Sequence, residues 1–181
     1  MFFLYIVLVL ILVIGLVWFV SPRLSPIPYY PTLEADMPQI ITALDLKKGH
    51  CLYDLGAGDG KVIFRLARSG VKTVGIEFNP YLVLLMKIKK LFYSQKKQVS
   101  VYWQDLFKTD LKPATHIYLF VGPYLIDRIF QYILKNKGPK LQKIVSYRYR
   151  PNQHPGGVTE LKNNLNHPIF IWSFKTKNAG L

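Results

Sequence analysis

Three acidic side chains follow short apolar runs, and the first of them begins a glycine-rich turn. Residues 53–61 read YDLGAGDGK, so Asp54 is followed by three glycines in alternate positions. Glu77 ends the next apolar run, and Asp105 follows a third. Glycine lets the backbone come close to a bound molecule, and carboxylates accept hydrogen bonds from hydroxyl and amino groups. The residues therefore predict a site for a cofactor that contains a nucleoside.

The spacing of the glycines separates two classes of cofactor. A dinucleotide-binding turn has the pattern G-x-G-x-x-G, and here Gly56 and Gly58 are followed by Lys61 in place of the third glycine. The pattern D-L-G-A-G-D-G is instead typical of proteins that bind S-adenosylmethionine. The carboxylate of Asp54 would then lie near the ammonium group of the methionine part. We expect S-adenosylmethionine as the cofactor.

The two later acids suit the remaining parts of that cofactor. Glu77 is placed to accept hydrogen bonds from both ribose hydroxyls. Asp105 could accept from the adenine amino group, with Leu106, Phe107 or Phe78 packed on the ring. Asp105 could also be only a helix N-cap, and the turn only a tight connection. Three acids after three consecutive strands, in a chain with ten acids in total, favour the binding site.

Alternating strand and helix patterns predict the framework that positions these residues. We expect an α/β fold with a doubly wound, mostly parallel, Rossmann-like sheet and an antiparallel C-terminal edge formed by VTELK and IFIWSF. Ligands bind beyond the carboxyl ends of such strands, where the glycine turn lies. The predicted strands are 50–55, 72–78, 98–103, 115–121 and 141–149, and the predicted helices are 33–46, 61–68, 81–93 and 124–134.

The N-terminal segment differs from the rest of the chain. Residues 1–20 carry no charge and would form a helix of ~30 Å, which matches the hydrocarbon core of a bilayer. We expect a retained transmembrane anchor there rather than a cleaved signal peptide. Residues 21–32 contain four prolines and predict an extended linker. Residues 33–181 are long enough for one folded domain.

The charged residues all follow the apolar segment. Lys and Arg number 24 against 10 acids, and the net charge is +14. This excess predicts a single-pass membrane protein with its domain on the cytoplasmic side. The basic run at residues 87–97 is expected to be a solvated helix face, or else a patch that faces a membrane or an acidic partner. The single cysteine excludes an intramolecular disulfide, and the four histidines lack the spacing of a metal site.

Several segments together resemble a known family. They are PYYPT, YDLGAGDGKVIFRLARSG, VGIEFNPYL, VYWQDLF and LFVGP, from about residue 28 to residue 123. They resemble the membrane-anchored protein lysine methyltransferases, class I S-adenosylmethionine-dependent enzymes whose mitochondrial members modify the adenine nucleotide translocase and the ATP synthase c-subunit, and which have bacterial relatives. The resemblance implies a methyltransferase domain at 33–181. It implies a cofactor site formed by Tyr30, Thr32, Asp54, Gly56, Gly58, Glu77 and Asp105.

The expected function is transfer of a methyl group to a lysine of a membrane protein. Tyr124, Tyr147 and Tyr149 are candidates for the channel that admits the lysine, although each could be ordinary aromatic packing. The sequence FVGPY lacks the [DN]-P-P-[YF] pattern of enzymes that methylate nucleobases, so nucleic acid is disfavoured as a partner. Two alternatives stay open: a methyltransferase for a lipid or quinone-like molecule, and a non-catalytic cofactor-binding module that docks on a membrane partner.

Overall fold

Seven strands form one sheet in the order β3-β2-β1-β4-β5-β7-β6. The computed structural model describes residues 1–20, 30–162 and 166–175, with the side chains of residues 18–20 outside that description. Strands β1 to β5 pair in parallel, and β7 runs antiparallel to both β5 and β6. The strands are β1 (Cys51–Leu55), β2 (Lys72–Glu77), β3 (Val99–Trp103), β4 (His116–Leu119), β5 (Lys143–Tyr147), β6 (Val158–Leu161) and β7 (Ile169–Ser173).

Helices cover both faces of this sheet. They are α1 (Phe2–Val20), α2 (Met37–Leu44), α3 (Lys61–Ala67), α4 (Pro80–Leu91) and α5 (Pro123–Asn136). The buried residues of α2, α3 and α4 form two apolar clusters with one face of the sheet. The buried residues of α5 form the third and largest cluster with the other face. The predicted doubly wound α/β fold with an antiparallel C-terminal edge is therefore confirmed.

The order of the strands explains where a ligand can bind. The chain moves outward from β1 through β2 to β3, and then returns to place β4 on the other side of β1. The crevice between the ends of β1 and β4 is the switch point of the sheet, where ligands bind in folds of this type. The glycine turn follows β1 directly and so lies in that crevice.

The predicted elements differ from the observed ones by one or two residues at their ends, and for two of them the structure gives the reason. The predicted helix at 33–46 begins as a 3-10 turn, Glu34–Asp36, before α2, and Pro38 falls in the first turn of α2, where its missing N–H costs no helical hydrogen bond. The predicted strand at 141–149 is shorter. It ends at Tyr147 because Arg148 has a φ of 69°, in the left-handed region.

The N-terminal segment is helical, as α1, but the prediction of a transmembrane helix at 1–20 is not supported. None of the described helices is both long enough and apolar enough to cross a bilayer. Most of the predicted linker, residues 21–29, lies outside the described residues.

Candidate functional site

The glycine turn has a backbone that only glycine adopts readily. Gly56, Gly58 and Gly60 have φ values of 91°, 58° and 82°. The N–H groups of Gly56 and Ala57 both donate to the carbonyl oxygen of Ile76, at 2.9 and 3.0 Å, which ties the turn to β2. The local sequence therefore fixes the turn against the strand that carries the second acid.

Glu77 is held by three backbone groups. Its Oε2 accepts from the N–H of Gly58 at 2.8 Å, and its Oε1 accepts from Phe78 and Asn79 at 2.9 and 2.8 Å. Burial raises the pKa of Glu77, although these three hydrogen bonds act to lower it. The side chain lines a cleft above the glycine turn. A carboxylate has about four lone-pair positions, and three of those of Glu77 are used by backbone N–H groups. Oε2 can therefore accept one hydrogen bond from a ribose hydroxyl, whereas the sequence predicted two.

Asp54 supplies the most buried carboxylate of this cleft, which we call the donor cleft. The residue is 2 % exposed, and it lines the cleft together with Gly56, Gly58 and Glu77. Burial raises the pKa of Asp54 well above its ordinary value, and the nearby carboxylates of Glu77 and Asp59 raise it further. A buried carboxylate with this surrounding favours a positively charged ligand, which would restore its ionised form.

The described end of the PYYPT segment closes one side of the donor cleft. Tyr30 and Thr32 both line the cleft. The ammonium of Lys61 donates to the carbonyl oxygen of Thr32 at 2.6 Å, and the Thr32 hydroxyl lies 3.1 Å from the hydroxyl of Tyr118. Lys61 thus has a structural role, because it links the first turn of α3 to the segment that borders the cleft. The sequence offered no signal for this role.

A second cavity, of about 240 Å³, contains the residues predicted for the adenine side. Phe78, Asp105 and Leu106 line it, together with Phe107. Asp105 also accepts a hydrogen bond from the N–H of Phe107 at 2.9 Å, so it caps the short turn that follows β3. The capping role and the place beside the cavity are both present in the structure.

A third cavity, of about 390 Å³, has mainly aromatic walls, and we call it the aromatic cavity. It shares Tyr30, Phe120 and Val121 with the donor cleft, so the two are neighbours. Two of the three candidate tyrosines, Tyr124 and Tyr149, line it.

Tyr147 lies elsewhere. It is completely buried, and its hydroxyl donates to the carboxylate of Asp36. Asp36 also lies 2.7 Å from Nδ1 of His167. Tyr147 and Tyr149 lie on different sides of the sheet because Arg148, between them, has a left-handed backbone conformation and ends β5. Tyr147 packs in the cluster on the α2 side of the sheet, whereas Tyr149 packs against the cluster on the α5 side.

Arg148 is a functional candidate that sequence reasoning did not single out. Its guanidinium lies 5.7 Å from the centre of the Phe120 ring and within 3.0 Å of Nε2 of His167, and the residue lines the aromatic cavity. A basic residue directly after a parallel strand is the signal that could have found it, because such positions face the ligand crevice. Among the described residues, no group of three or more His, Cys, Asp or Glu side chains could hold a metal ion.

Comparison with protein families gives a match that covers more than half of the chain. The family model described as the ANTKMT methyltransferase domain matches residues 54–155. This range begins at Asp54 and includes Glu77, Asp105 and the aromatic cavity from Phe120 to Tyr149.

Curated relatives are lysine methyltransferases by name. The chain is 35 % identical over 111 residues to the ATP synthase c-subunit lysine N-methyltransferase of Caenorhabditis elegans, covering 56 % of this chain and 58 % of the relative. It is 24 % identical over 152 residues to a protein-lysine N-methyltransferase of Saccharolobus islandicus (strain REY15A), covering 81 % and 92 %. The chain spans about half the length of the ATP synthase c-subunit lysine N-methyltransferases that it matches.

Solved structures support the same fold. An RNA methyltransferase from Salinibacter ruber in complex with S-adenosyl-L-homocysteine aligns with a TM-score of 0.70 and 25 % identity, over 80 % of this chain and 93 % of that one. A SAM-dependent methyltransferase from Thiobacillus denitrificans, also with S-adenosyl-L-homocysteine, aligns with a TM-score of 0.56 and 18 % identity, over 71 % and 53 %. The second shows similarity of fold alone.

Proposed function

Because the chain belongs to the family of the ANTKMT methyltransferase domain, we propose that it transfers a methyl group from S-adenosylmethionine to a lysine of a protein substrate. The predicted family and cofactor are confirmed by the family match and by the Salinibacter ruber structure, which contains S-adenosyl-L-homocysteine. The names of the curated relatives support lysine as the acceptor. The acceptor itself is part of the proposal.

The observation that carries this proposal is the shared wall between the donor cleft and the aromatic cavity. Tyr30, Phe120 and Val121 line both spaces. A methyl donor on one side and an amine on the other would meet at this wall, and alignment of two reactants is the main contribution that a protein makes to such a displacement.

The residues of the donor cleft and of the adenine-side cavity would hold different parts of the cofactor. Asp54 would hold the ammonium group of its methionine part, Glu77 the ribose, and Phe78, Asp105 and Leu106 the adenine ring. The cofactor supplies a methyl group on a positively charged sulfur. Gly56 and Gly58 leave room for it because a side chain is absent at both positions.

The aromatic cavity suits a lysine side chain. Its rings can pack along the aliphatic part of lysine and exclude water from the amine. A free lysine amine has a pKa of ~10.4 and must lose its proton before it can attack. Desolvation by Tyr124 and Tyr149, and the permanent positive charge of Arg148, both favour the neutral amine. Desolvation raises the pKa of Tyr124, and its hydroxyl can donate or accept a hydrogen bond beside the cavity.

We also propose that the chain works at a membrane, with the domain on the cytoplasmic side and a membrane protein as substrate. The apolar side chains of α1 are largely exposed, and Phe2 and Phe3 are each 79 % exposed. The chain carries 24 Lys and Arg against 10 acids, and such an excess of positive charge favours the anionic cytoplasmic surface of a membrane. The relatives named for the ATP synthase c-subunit and for the adenine nucleotide translocase support a membrane protein as the acceptor.

Labelling native membranes tests the function. The full chain in detergent is incubated with methyl-labelled S-adenosylmethionine and membranes, and the label is located in protein and lipid fractions. We expect label on lysine in a protein band. The variant Asp54→Ala, which should lose cofactor binding, provides the background. Label in the lipid extract would support a small-molecule acceptor instead, and cofactor binding without any transfer would support a non-catalytic module.

A pair of tyrosine variants tests the aromatic cavity. Tyr149→Ala removes one wall of the cavity and should lower methyl transfer strongly while leaving cofactor affinity unchanged. Tyr102→Ala is the matched control, because Tyr102 lies on the edge strand β3, is 51 % exposed and lines none of the three cavities. Equal rates for the two variants would contradict the assignment of this cavity to the acceptor.

A further inference from the structure

Helix α4 is apolar on the side that faces away from the domain. Its buried side consists of Leu82, Val83 and Met86. On the opposite side lie five large apolar side chains, each between 41 % and 86 % exposed. Their spacing of three, four and seven residues places them in one stripe along the helix. We call them the α4 outer stripe: Leu84, Leu85, Ile88, Leu91 and Phe92.

Helix α5 shows that an apolar outer face is not general in this protein. The inner side of α5 is apolar, with Ile129, Phe130 and Ile133 buried, and its outer side exposes the polar residues Gln131 and Lys135. This is the usual pattern of a helix on the surface of a soluble domain. The α4 outer stripe therefore requires a separate explanation, since an exposed apolar patch of this kind commonly marks an interaction surface.

Positive charge surrounds the stripe without interrupting it. Residues 80–97 contain five lysines and no acidic residue. Lys87 lies three residues after Leu84 and four before Leu91, so it borders one edge of the stripe. Lys89 borders the other edge, where its ammonium also contacts Asp59 at 2.9 Å. Exposed Lys96 and Lys97 follow the helix.

Helix α1 meets α4 at one end of the stripe. A Cβ atom at Gly15 would lie only 2.6 Å from Cε1 of Tyr81, so the backbone of α1 rests on the Tyr81 ring. Tyr81 precedes Leu84, Leu85 and Ile88 by three, four and seven residues and lies on the same side of α4. The exposed apolar surface of α1 is thus next to the α4 outer stripe.

We propose that the α4 outer stripe lies on a bilayer whose surface carries anionic lipid headgroups. Interfacial helices combine one apolar face with lysines along its borders, as α4 does. Lysine stems can cover apolar surface while their ammonium groups reach phosphates at the level of the headgroups. A second copy of the chain would bring the same lysines together and be repelled, and an acidic protein would pair with the lysines but leave the apolar centre without a matching surface.

This surface is connected to the cofactor site through two residues. Asn79 caps α4 by accepting from the N–H groups of Tyr81 and Leu82, and Phe78 directly before it lines the adenine-side cavity. Contact of α4 with a bilayer would therefore hold the carboxyl edge of the sheet close to the membrane. The inference adds a contact surface to the proposed membrane location and is independent of methyl transfer.

Lipid quenching at single sites tests the proposal. In full-length chain carrying Cys51→Ser, a fluorophore is attached to Ile88→Cys on the stripe, or to Gln131→Cys on the outer side of α5 as the matched control. The proteins are floated with vesicles of phosphatidylcholine alone, or of phosphatidylcholine with phosphatidylglycerol, that contain a nitroxide-labelled lipid. Lys87→Gln and Lys97→Gln, which replace exposed lysines at the border and the end of the stripe, are then added to the Ile88→Cys protein.

We expect severalfold stronger quenching at position 88 than at 131, and only with the anionic vesicles. Removing each lysine should lower the docked-to-undocked ratio about fivefold. Flotation without quenching at 88, or equal quenching in both kinds of vesicle, would overturn the proposal. If the protein floats with neither kind of vesicle, both this proposal and the proposed membrane location are wrong. The proposed methyl transfer is tested separately, by the labelling experiment.

Discussion

At the scale of single residues, Asp54 combines a position in the candidate cofactor site with an environment that disfavours its charged form. It is buried, and the carboxylates of Glu77 and Asp59 are close enough to raise its pKa further. A ligand that needs the ionised carboxylate must therefore displace a proton whenever the pH lies below that raised pKa. The same burial and nearby carboxylates that destabilise ionised Asp54 in the free protein would favour a bound cation.

We predict that cofactor affinity decreases as the pH is lowered in the acidic range, because Asp54 must lose its proton to bind the cofactor. Below the raised pKa, binding should release one proton, and the affinity should fall about tenfold per pH unit. Calorimetry in two buffers of different ionisation enthalpy measures this proton. Asp54→Asn should bind the cofactor more weakly and show no proton release, because the amide carries no titratable proton. Wild-type binding without proton release at acid pH would contradict the prediction.

Cofactor affinity should be sensitive to a small chemical change at Glu77, although this side chain is only partly buried. Glu77→Gln keeps the shape of the side chain but replaces an acceptor oxygen with an NH₂ group that faces a backbone N–H. Losing charged hydrogen bonds, worth ~1.5–3 kcal/mol each, should weaken cofactor binding at least about tenfold. Titration calorimetry measures this loss. Glu160→Gln on the exposed face of β6 is the control, and a similar affinity for the two variants would argue against a ribose contact.

At the scale of elements, the position of the glycine turn depends on how closely α3 approaches β2. A Cβ atom at Gly75 would lie 2.8 Å from Cδ1 of Ile63 in α3 and 3.0 Å from Cβ of Ala57 in the turn. The strand can pair in the middle of the sheet and still leave room for the helix only because this residue has no side chain. The turn that lines the donor cleft is thereby held between β1 and α3.

Gly75→Val should separate α3 from the sheet. Overpacking of a close contact costs ~1–3 kcal/mol of unfolding free energy, and the shift of Ala57 should weaken cofactor binding as well. Denaturant unfolding measures the first effect and calorimetry the second. Gly156→Ala is the matched control, because no atom lies within 4 Å of a Cβ placed there. Unchanged stability of Gly75→Val would mean that α3 can move without cost.

At the scale of the whole molecule, acid sensitivity is expected to arise far from the cofactor site. His116 begins β4, at the opposite edge of the sheet from the donor cleft. Burial lowers its pKa to about 4, with a smaller contribution from His50, whose ring stacks on it at 4.5 Å. The folded protein therefore keeps this ring neutral where the unfolded chain would take up a proton.

The sign of the effect follows from the two pKa values of His116. Its contribution to stability is complete above the unfolded value of ~6.5 and is lost progressively as the pH falls towards about 4. We predict that Tm falls over this interval, and that His116→Asn has a shallower dependence there. Thermal unfolding between pH 7 and 4 measures both slopes. Parallel curves for the two proteins would assign the acid sensitivity to other groups.

Much of the fold and of the cofactor site could be predicted from the sequence, because both depend on local patterns. Alternating strands and helices imply parallel crossovers, and the glycines at 56, 58 and 60 permit the positive φ values of the turn. Glu77 and Asp105 end or follow consecutive strands, so parallel pairing alone brings them to one edge of the sheet. Ends of elements were less predictable, since the stop of β5 depends on the conformation of Arg148.

The sequence by itself thus determined the fold class, the glycine turn and the acids around it, whereas the tertiary structure decided which aromatic residues line the cavity that we propose for the acceptor. Tyr147 and Tyr149 are two residues apart and would share a face in a continuous strand. The positive φ of Arg148 separates them, so Tyr147 bonds to Asp36 in the core and Tyr149 lines the aromatic cavity. The exposure of the α4 outer stripe likewise could not be predicted from the composition of α4. Both sides of the helix are apolar, and only the packing of the sheet against one side leaves the other exposed.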